Sequence, residues 1–234
     1  MVATPIGNLK DITLRAIETL KAVDLVVAED TRRTRKLLTH FEIRVPLLSY
    51  FEHNREQRIP AIIGKLEGGS DVALVTDAGT PGISDPAYRL IRAALKKGIA
   101  VTSVPGPSAV TTAVVQSGLP TDRFVFEGFL PRKKGRSSRL SKLARDDRTI
   151  VIFESAERLV KTLADCGEHM GNRPVSVCRE LTKMHEEVYR GTLSDAEEYF
   201  RRSTPRGEIV IVIGKDDPNV YFEKRSGAAT EETR

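Results

Sequence analysis

The chain has 234 residues, of which 40% are hydrophobic and 29% charged, and this composition is typical of a soluble globular protein with one large domain or two small ones. No apolar run approaches the roughly 20 residues that cross a bilayer, and the amino end shows no signal-peptide pattern, so we expect a cytoplasmic protein with no membrane segment. The net charge of +5 suits a polyanionic partner, either nucleic acid or a polycarboxylate small molecule.

The first elements predict alternating strands and helices. Residues 2–9 read as the end of a strand followed by a turn at Pro5 and Gly7. Asp11 is a candidate cap for a helix that runs to about residue 21, and residues 25–28 form a short buried strand.

Two carboxylates, Glu29 and Asp30, end this strand, and four basic residues follow them. Thr31 is a possible cap of the next helix. The segment is either a solvated, charged helix start or the wall of a cleft that carries a catalytic or substrate-binding group. The residues alone favour neither interpretation.

The central feature of the chain is the strand at 72–75 and the loop after it, which contains Asp77, Gly79 and Gly82. It is preceded by a candidate strand at 46–50 and a helix at 54–66. Ligands bind at the carboxyl ends of strands in open parallel sheets, so this loop is a candidate binding loop. Ser84 or Asp85 can cap the following helix, predicted at 86–97.

A further strand is predicted at 99–104, followed by P-G-P-S-A and an apolar helix that ends at Gly118. Ser108 stands at the start of this helix, where free amides favour an electronegative ligand group. The alternation over residues 1–118 predicts an amino-terminal α/β domain with a parallel sheet covered on both faces.

A second, mixed α/β domain is predicted at 119–214, and residues 215–234 form a polar tail. Its strands are predicted at 124–127, 149–153, 174–178, 187–191 and 208–213, and its helices at 136–145, 155–165 and 194–202. Two cysteines and four scattered histidines show no ligand spacing, so we expect no metal site and a reducing compartment.

One segment of the second domain is strongly basic. Between residues 132 and 139 there are five cations and no acid, namely Arg132, Lys133, Lys134, Arg136 and Arg139. Such a run is usually a solvated face. If it is a mobile loop, as its glycine and serines suggest, it is suited to contact phosphates.

Taken together, the motifs resemble the tetrapyrrole methylase superfamily of S-adenosylmethionine-dependent methyltransferases, and within it the bacterial enzymes that methylate the 2′-hydroxyl of a cytidine ribose in the decoding region of 16S rRNA. The stretches that carry the resemblance span nearly the whole chain: A-T-P-I-G-N-L at 3–9, A-E-D-T-R at 28–32, T-D-A-G-T-P-G-I-S-D at 76–85, P-G-P-S-A at 105–109, G-F-L-P at 128–131, F-E-S at 153–155, R-E-L-T-K at 179–183 and R-G-E at 206–208. The family usually has a few more apolar residues before Ala3. No G-x-G-x-x-G follows the first strand, so a Rossmann-type methyltransferase is not expected.

The resemblance implies two α/β domains of the class III methyltransferase type, a homodimer, and S-adenosylmethionine in the interdomain cleft. It also implies the cofactor-binding residues Pro5, Asp77, Gly79, Thr80, Ile83, Ser108 and Ala109, with Glu154, Arg179 and Gly207 on the adenosine side. The expected partner is 16S rRNA or the small ribosomal subunit, bound by Arg32 and the basic segment.

Three residues are candidates for the general base, namely Glu29, Asp30 and Lys183, with Glu180 beside the last. Alignment of the reactants without a dedicated base stays open as well. Two other functions also stay open: a tetrapyrrole methylase that acts on an acidic macrocycle, and a non-catalytic ribosome assembly factor that kept the fold.

Overall fold

The computed structural model describes residues 1–203 and 205–222, and the chain divides into two compact units, Met1–Ala109 and the part from Val110 onward. The described helices are α1 Leu14–Ala22, α2 Thr31–His40, α3 Arg55–Glu67, α4 Ala87–Lys96, α5 Ala109–Ser117, α6 Arg136–Leu143, α7 Leu159–Met170 and α8 Leu193–Arg202. The described strands are β1 Leu25–Ala28, β2 Leu47–Ser49, β3 Val72–Val75, β4 Phe124–Phe129, β5 Thr149–Ser155, β6 Pro174–Arg179, β7 Glu187–Thr192 and β8 Glu208–Ile213.

The first unit contains a three-stranded parallel sheet in the order β2-β1-β3. Successive side chains of β1 point to opposite faces, so Val26 and Ala28 join one buried cluster and Leu25 and Val27 join another. Helices α1 and α2 supply residues to the first cluster, and α3 and α4 to the second. The predicted parallel sheet with both faces covered is therefore confirmed.

Several local predictions in this unit were wrong. Helix α1 is capped by Thr13, not Asp11, because the extended backbone of Ile12 separates a 3-10 turn at Leu9–Asp11 from the helix. Asp30, not Thr31, caps α2, since its carboxylate accepts a hydrogen bond from the N–H of Arg32. The predicted strand at 99–104 contributes only one bridge, between Val104 and Val2.

The second unit contains a five-stranded mixed sheet in the order β4-β5-β8-β6-β7. Strands β4 and β5 are parallel and the other neighbouring strands are antiparallel, in agreement with the predicted mixed α/β domain. Ile150, Ile152, Val175, Val177 and Ile211 form the centre of its buried cluster, and α6, α7 and α8 pack their apolar residues against it.

The boundary between the units falls between Ala109 and Val110, in the first turn of α5, whereas the predicted boundary follows the helix at Gly118. Of the predicted tail, Lys215 to Phe222 is described and includes a 3-10 turn at Pro218–Val220, while residues 223–234 lie outside the described residues. Both cysteines are reduced and buried, and burial raises the pKa of Cys166 to about 12 and that of Cys178 to about 11. None of the described helices is both long and apolar enough to span a membrane.

Candidate functional site

The carboxyl ends of β1 and β3 lie side by side in the first unit, because Ala28 pairs with Val75. The N–H of Asp30 donates to Oδ1 of Asp77 at 2.9 Å. The hydroxyl of Thr76 donates to Oε2 of Glu29 at 3.2 Å. The two predicted site segments thus form one acidic cluster at the sheet edge.

Glu29 is only partly exposed in this cluster. Burial raises the pKa of Glu29 above its ordinary value, and the nearby carboxylate of Asp77 raises it further, whereas the hydrogen bond from Thr76 acts in the opposite direction. A carboxylate with a raised pKa is a stronger base than an ordinary glutamate, and such groups are frequent in active sites.

Asp30 lies in a different environment, although it is the next residue. Arg32 binds its carboxylate through two N–H groups, at 3.1 Å and 2.8 Å, and the N–H of Arg32 also donates to it. These hydrogen bonds hold the pKa of Asp30 well below its ordinary value. Asp30 is therefore suited to capping α2 and to orienting Arg32, and it is a poor proton acceptor.

The backbone of the loop after β3 is held in a defined conformation by positive φ angles and hydrogen bonds to Asp85. Gly79 and Gly82 have positive φ angles of 81° and 95°, and Ser84 has one of 64°. Asp85 holds the loop by accepting hydrogen bonds from the N–H groups of Gly82 and Ala87, each at 2.8 Å. The N-cap position of α4 is Pro86, so the predicted cap was one residue early, although Asp85 still accepts a hydrogen bond from the first N–H of the helix. Ile83 is exposed on the loop.

Two other segments are attached to this loop. Thr4 and Gly79 exchange backbone hydrogen bonds of 2.9 and 3.0 Å, and the hydroxyl of Thr80 donates to the carbonyl of Pro107 at 3.2 Å. A Cβ atom on Gly79 would lie 3.3 Å from Cγ2 of Ile6 and 3.6 Å from the carbonyl oxygen of Pro107. The predicted cofactor-binding residues thus belong to three segments, at residue 5, at 77–83 and at 108–109. Hydrogen bonds join the loop after β3 to the chain beside each of the other two segments.

A small cavity of about 120 Å³ lies beside the acidic cluster. Its lining includes the predicted Pro5 and Asp77 together with residues that the sequence analysis did not single out, namely Thr4, Leu9, Arg33, Thr34, Lys36, Leu37 and Thr76. Of these, Thr4, Leu9 and Thr76 carried a signal because they belong to the motif stretches at 3–9 and 76–85, and Arg33 and Lys36 belong to the four basic residues that follow Asp30. The others enter through helix packing, which a motif does not reveal.

In the second unit, Lys183 is held between two carboxylates. Its Nζ donates to Oε1 of Glu180 at 2.8 Å and to Oε2 of Glu208 at 3.1 Å. Burial acts to lower the pKa of Lys183, but these hydrogen bonds raise it above its ordinary value. Lys183 is consequently a cation at neutral pH, which does not suit a general base.

Arg179 and Gly207 lie in the same region of the second unit. The side chain of Arg179 binds Glu187 at 2.7 Å and the carbonyl of Arg206 at 3.3 Å. Gly207 has a φ of 92°, and the side chain of Glu180 occupies the space where a Cβ atom would stand. The R-E-L-T-K and R-G-E stretches are thus joined through Glu180.

A buried polar network lies below the basic segment. Thr162 donates to Oε2 of Glu154 at 2.6 Å and accepts a hydrogen bond from Nη2 of Arg136 at 2.8 Å. The guanidinium of Arg136 also binds Asp165 at 2.6 Å, and that of Arg158 binds Glu154 at 3.1 Å. The side chain of Glu154 has no exposed area, and Arg136 is 8% exposed. Two acids and two bases neutralise each other inside the unit.

The basic segment is therefore not a uniform mobile loop. Arg132, Lys133 and Lys134 are exposed, but α6 begins at Arg136 and includes both serines. Arg139 forms an ion pair with the nearly buried carboxylate of Glu127. We define the basic loop as residues 131–135. The prediction that Arg136 contacts RNA was wrong, because its side chain is buried and bound by Asp165 and Thr162.

The described residues contain no group of three or more side chains that could hold a metal ion. The chain matches the family model of the tetrapyrrole (corrin/porphyrin) methylases over residues 1–197 and belongs to this family. It is accordingly a methyltransferase. The solved structures of cobalt precorrin-4 methyltransferase, with a TM-score of 0.69 at 20% identity, and of diphthine synthase, with a TM-score of 0.71 at 16% identity, share its fold. Each alignment covers 91% of this chain, and 93% and 88% of the respective structures.

Curated relatives show a more specific similarity. The chain is 52% identical over 217 residues to the ribosomal RNA small subunit methyltransferase I of Thermotoga maritima, an alignment that covers 92% of this chain and 98% of that protein. It is 51% identical over 220 residues to the protein of the same name from Synechocystis, with coverage of 93% and 79%.

Proposed function

We propose that this chain transfers a methyl group from S-adenosylmethionine to the ribose 2′-hydroxyl of a cytidine in the decoding region of 16S rRNA. The observation that carries the substrate assignment is the 52% identity, over nearly the full length, to a relative named for methylation of small-subunit ribosomal RNA. The raised-pKa carboxylate beside a glycine loop supports the chemistry.

The residues of the first unit fit the cofactor. The positive φ of Gly79 and the close approach of Ile6 and Pro107 create a cradle that a side chain would fill. The acidic cluster of Glu29 and Asp77 complements the positive sulfonium and ammonium groups of S-adenosylmethionine. When bound, the cofactor supplies an electrophilic methyl group. We propose that Pro5, Asp77, Gly79, Thr80 and Ile83 hold its amino acid end, with Ser108 and Ala109 beside them.

We retain Arg179 and Gly207 as the proposed adenosine contacts, together with Glu154 in a changed role. The carboxylate of Glu154 is committed to Thr162, Arg158 and the N–H of Ser155. Any contact from Glu154 to the adenosine would therefore come from its backbone.

Of the three candidate bases, we propose Glu29. A neutral hydroxyl is a poor nucleophile, so a partly desolvated carboxylate that accepts its proton assists the attack. Asp30 is occupied by Arg32, and Lys183 is protonated. Thr76 orients Glu29 by binding Oε2.

We propose two surfaces for the RNA. In the first unit, Arg32, Arg35, Lys36 and His40 line an open groove of about 790 Å³ along α2, with Thr31 and Thr39 between them. In the second unit the basic loop exposes Arg132, Lys133 and Lys134, and Arg139 follows it. Cations along a groove are the usual means of neutralising phosphates.

The experiment incubates the purified chain with labelled S-adenosylmethionine and with small ribosomal subunits, free 16S rRNA or a corrinoid precursor. We expect label in rRNA, and a 2′-O-methyl group protects one phosphodiester from alkaline cleavage, which identifies the nucleotide. Label in the corrinoid alone would establish a tetrapyrrole methylase. This is the second candidate function, because the chain shares the fold of cobalt precorrin-4 methyltransferase. If calorimetry detected no binding of S-adenosylmethionine, the chain would be an assembly factor.

A further inference from the structure

A row of three aromatic rings lies on one face of the sheet in the second unit. Phe126 pairs with Val151 and Phe129 with Phe153, and a β-bulge at Glu127 separates the two pairs. The extra residue places Phe126 and Phe129 on the same face although they are three positions apart. Their rings pack edge-to-face on Phe153, with centroid distances of 4.9 and 5.7 Å.

Phe129 is the exposed end of this row. Its side chain lies on β4, the outermost strand of the five-stranded sheet, and the residue is 57% exposed. The contact with Phe153 fixes one edge of the ring. A single exposed ring is common and by itself indicates nothing. Phe129 differs from other exposed rings because the basic loop follows it directly in the sequence.

The basic loop begins two residues after Phe129, and its backbone is anchored. The carbonyl of Leu130 accepts a hydrogen bond from Arg158, that of Pro131 from the guanidinium of Arg136, and that of Lys133 from the N–H of Arg136. Leu130 itself is buried. Three residues of chain span about 10 Å at most, so Arg132 starts within that distance of Phe129. The buried network thus places three exposed cations beside an exposed ring.

We propose that Phe129 stacks on an unpaired nucleobase of the RNA while Arg132, Lys133 and Lys134 neutralise the adjoining phosphates. An aromatic face next to a basic groove is the usual combination in proteins that bind single-stranded nucleic acid, and a base in a duplex offers no free face. The charge of the loop selects a polyanion, which argues against a second copy of this basic chain as the occupant. The inference rests on the proposed function and adds the single-stranded state of the substrate.

The test measures binding of the full chain to a short single-stranded RNA that contains 2-aminopurine, whose fluorescence is quenched by stacking. We expect Phe129→Leu to lose the quenching and to weaken binding about 10-fold, within the range for loss of one stacked base. Phe129→Tyr should retain both. Tyr88→Leu, which removes a ring of comparable exposure from the first unit, is the matched control and should change neither.

The Lys133→Ala/Lys134→Ala double variant should reduce the salt dependence of binding while the quenching of the bound RNA is kept. Thermal unfolding of each variant checks that the fold is intact. Wild-type quenching and affinity in Phe129→Leu would overturn the proposal. A parallel loss of S-adenosylmethionine affinity would assign the ring to the cofactor, and a changed oligomeric mass would assign it to a subunit contact, and either outcome overturns it as well.

Failure of the proposed function has a different signature. If the wild-type chain quenches 2-aminopurine but transfers no methyl group to ribosomal RNA, rRNA methylation fails and the stacking stands. If it methylates rRNA while Phe129→Leu binds RNA like the wild type, only the stacking fails.

Discussion

The N–H of Asp30 donates to the carboxylate of Asp77 across 2.9 Å, and this bond joins two loops that are 47 residues apart in the chain. It places the carboxylate of Asp77 near Glu29, whose pKa is raised mainly by burial and then by Asp77. This hydrogen bond therefore helps to position the loop after β3, and it places a second negative charge beside the proposed general base.

The first prediction concerns this base. Activity requires ionised Glu29, so the rate falls as the pH drops through its pKa, and because that pKa is raised the fall begins at a higher pH than for an ordinary glutamate. Asp77→Asn removes the neighbouring negative charge, which lowers the pKa of Glu29 and moves the acidic limb to lower pH. Single-turnover rates measured against pH check this. An unmoved acidic limb in Asp77→Asn would remove Asp77 from the control of this group.

The second prediction tests the identity of the base. Glu29→Gln keeps the size of the side chain and a hydrogen-bond acceptor for Thr76, but it cannot take a proton at neutral pH. We expect the single-turnover rate at saturating S-adenosylmethionine to fall about 10²- to 10⁴-fold, while the affinity for the cofactor falls much less, through the loss of one attractive charge. Glu18→Gln, on the exposed side of α1, is the control. A near-normal rate in Glu29→Gln would show that alignment of the reactants suffices.

The third prediction concerns the cradle. Gly79→Val places a side chain against Ile6 and Pro107 and forces a β-branched residue to a φ of 81°, so we expect S-adenosylmethionine binding to be lost. Gly69 is the matched control, because it has a φ of 88° with nothing within 4 Å of the added Cβ. Both valine variants should lose about 1–2 kcal/mol of stability, and only Gly79→Val should lose the cofactor in calorimetry. Equal affinities would exclude the loop from the site.

The fourth prediction separates RNA binding from cofactor binding. Replacing Lys133 and Lys134 by alanine should flatten the salt dependence of RNA affinity by a log–log slope of about 0.7–0.9 per lost phosphate contact. S-adenosylmethionine carries no phosphate, so its affinity should not change. The control removes the exposed Lys65 and Lys96 in the first unit, which alters the net charge equally. If the two double variants show the same dependence of RNA affinity on salt, the basic loop is a solvated face. The groove along α2 then becomes the surface to test.

The fifth prediction concerns the buried network. Arg136→Leu leaves Asp165 without its ion pair and Thr162 without its donor, and removing one partner of a buried pair typically costs about 3–5 kcal/mol. Arg123→Leu breaks the exposed pair with Asp147 and should change stability far less, because solvent screens an exposed ion pair. Chemical denaturation compares the two. A small effect at Arg136 would show that the network does not anchor the basic loop.

Assembly provides a sixth check on the family resemblance, which implies a homodimer. Light scattering at micromolar concentration should report about twice the chain mass of 25.9 kDa. A mass that stays at one chain on concentration would contradict the homodimer.

Much of the fold follows from local patterns. Four-residue apolar runs predicted β1 and β3, and the alternation of strands and helices predicted the parallel sheet of the first unit. The glycines at 79 and 82 marked a loop with special backbone angles, which the φ values confirm. The predicted caps of α1 and α2 and the predicted strand at 99–104 were wrong. A 3-10 turn at Leu9–Asp11 moves the start of α1, and of residues 99–104 only Val104 forms a β-bridge.

The sequence by itself determined the family, the order of the elements and the segments that form the candidate site, because periodicity, turn residues and motif spacing are local properties. Only the tertiary structure decided what each polar side chain does. Glu29 and Asp30 are adjacent and chemically alike, yet their pKa values move in opposite directions. Arg136 belongs to the same basic run as Lys133, but it is buried against Asp165. Ionisation and availability depend on neighbours that lie far away in the chain, and no local pattern specifies them.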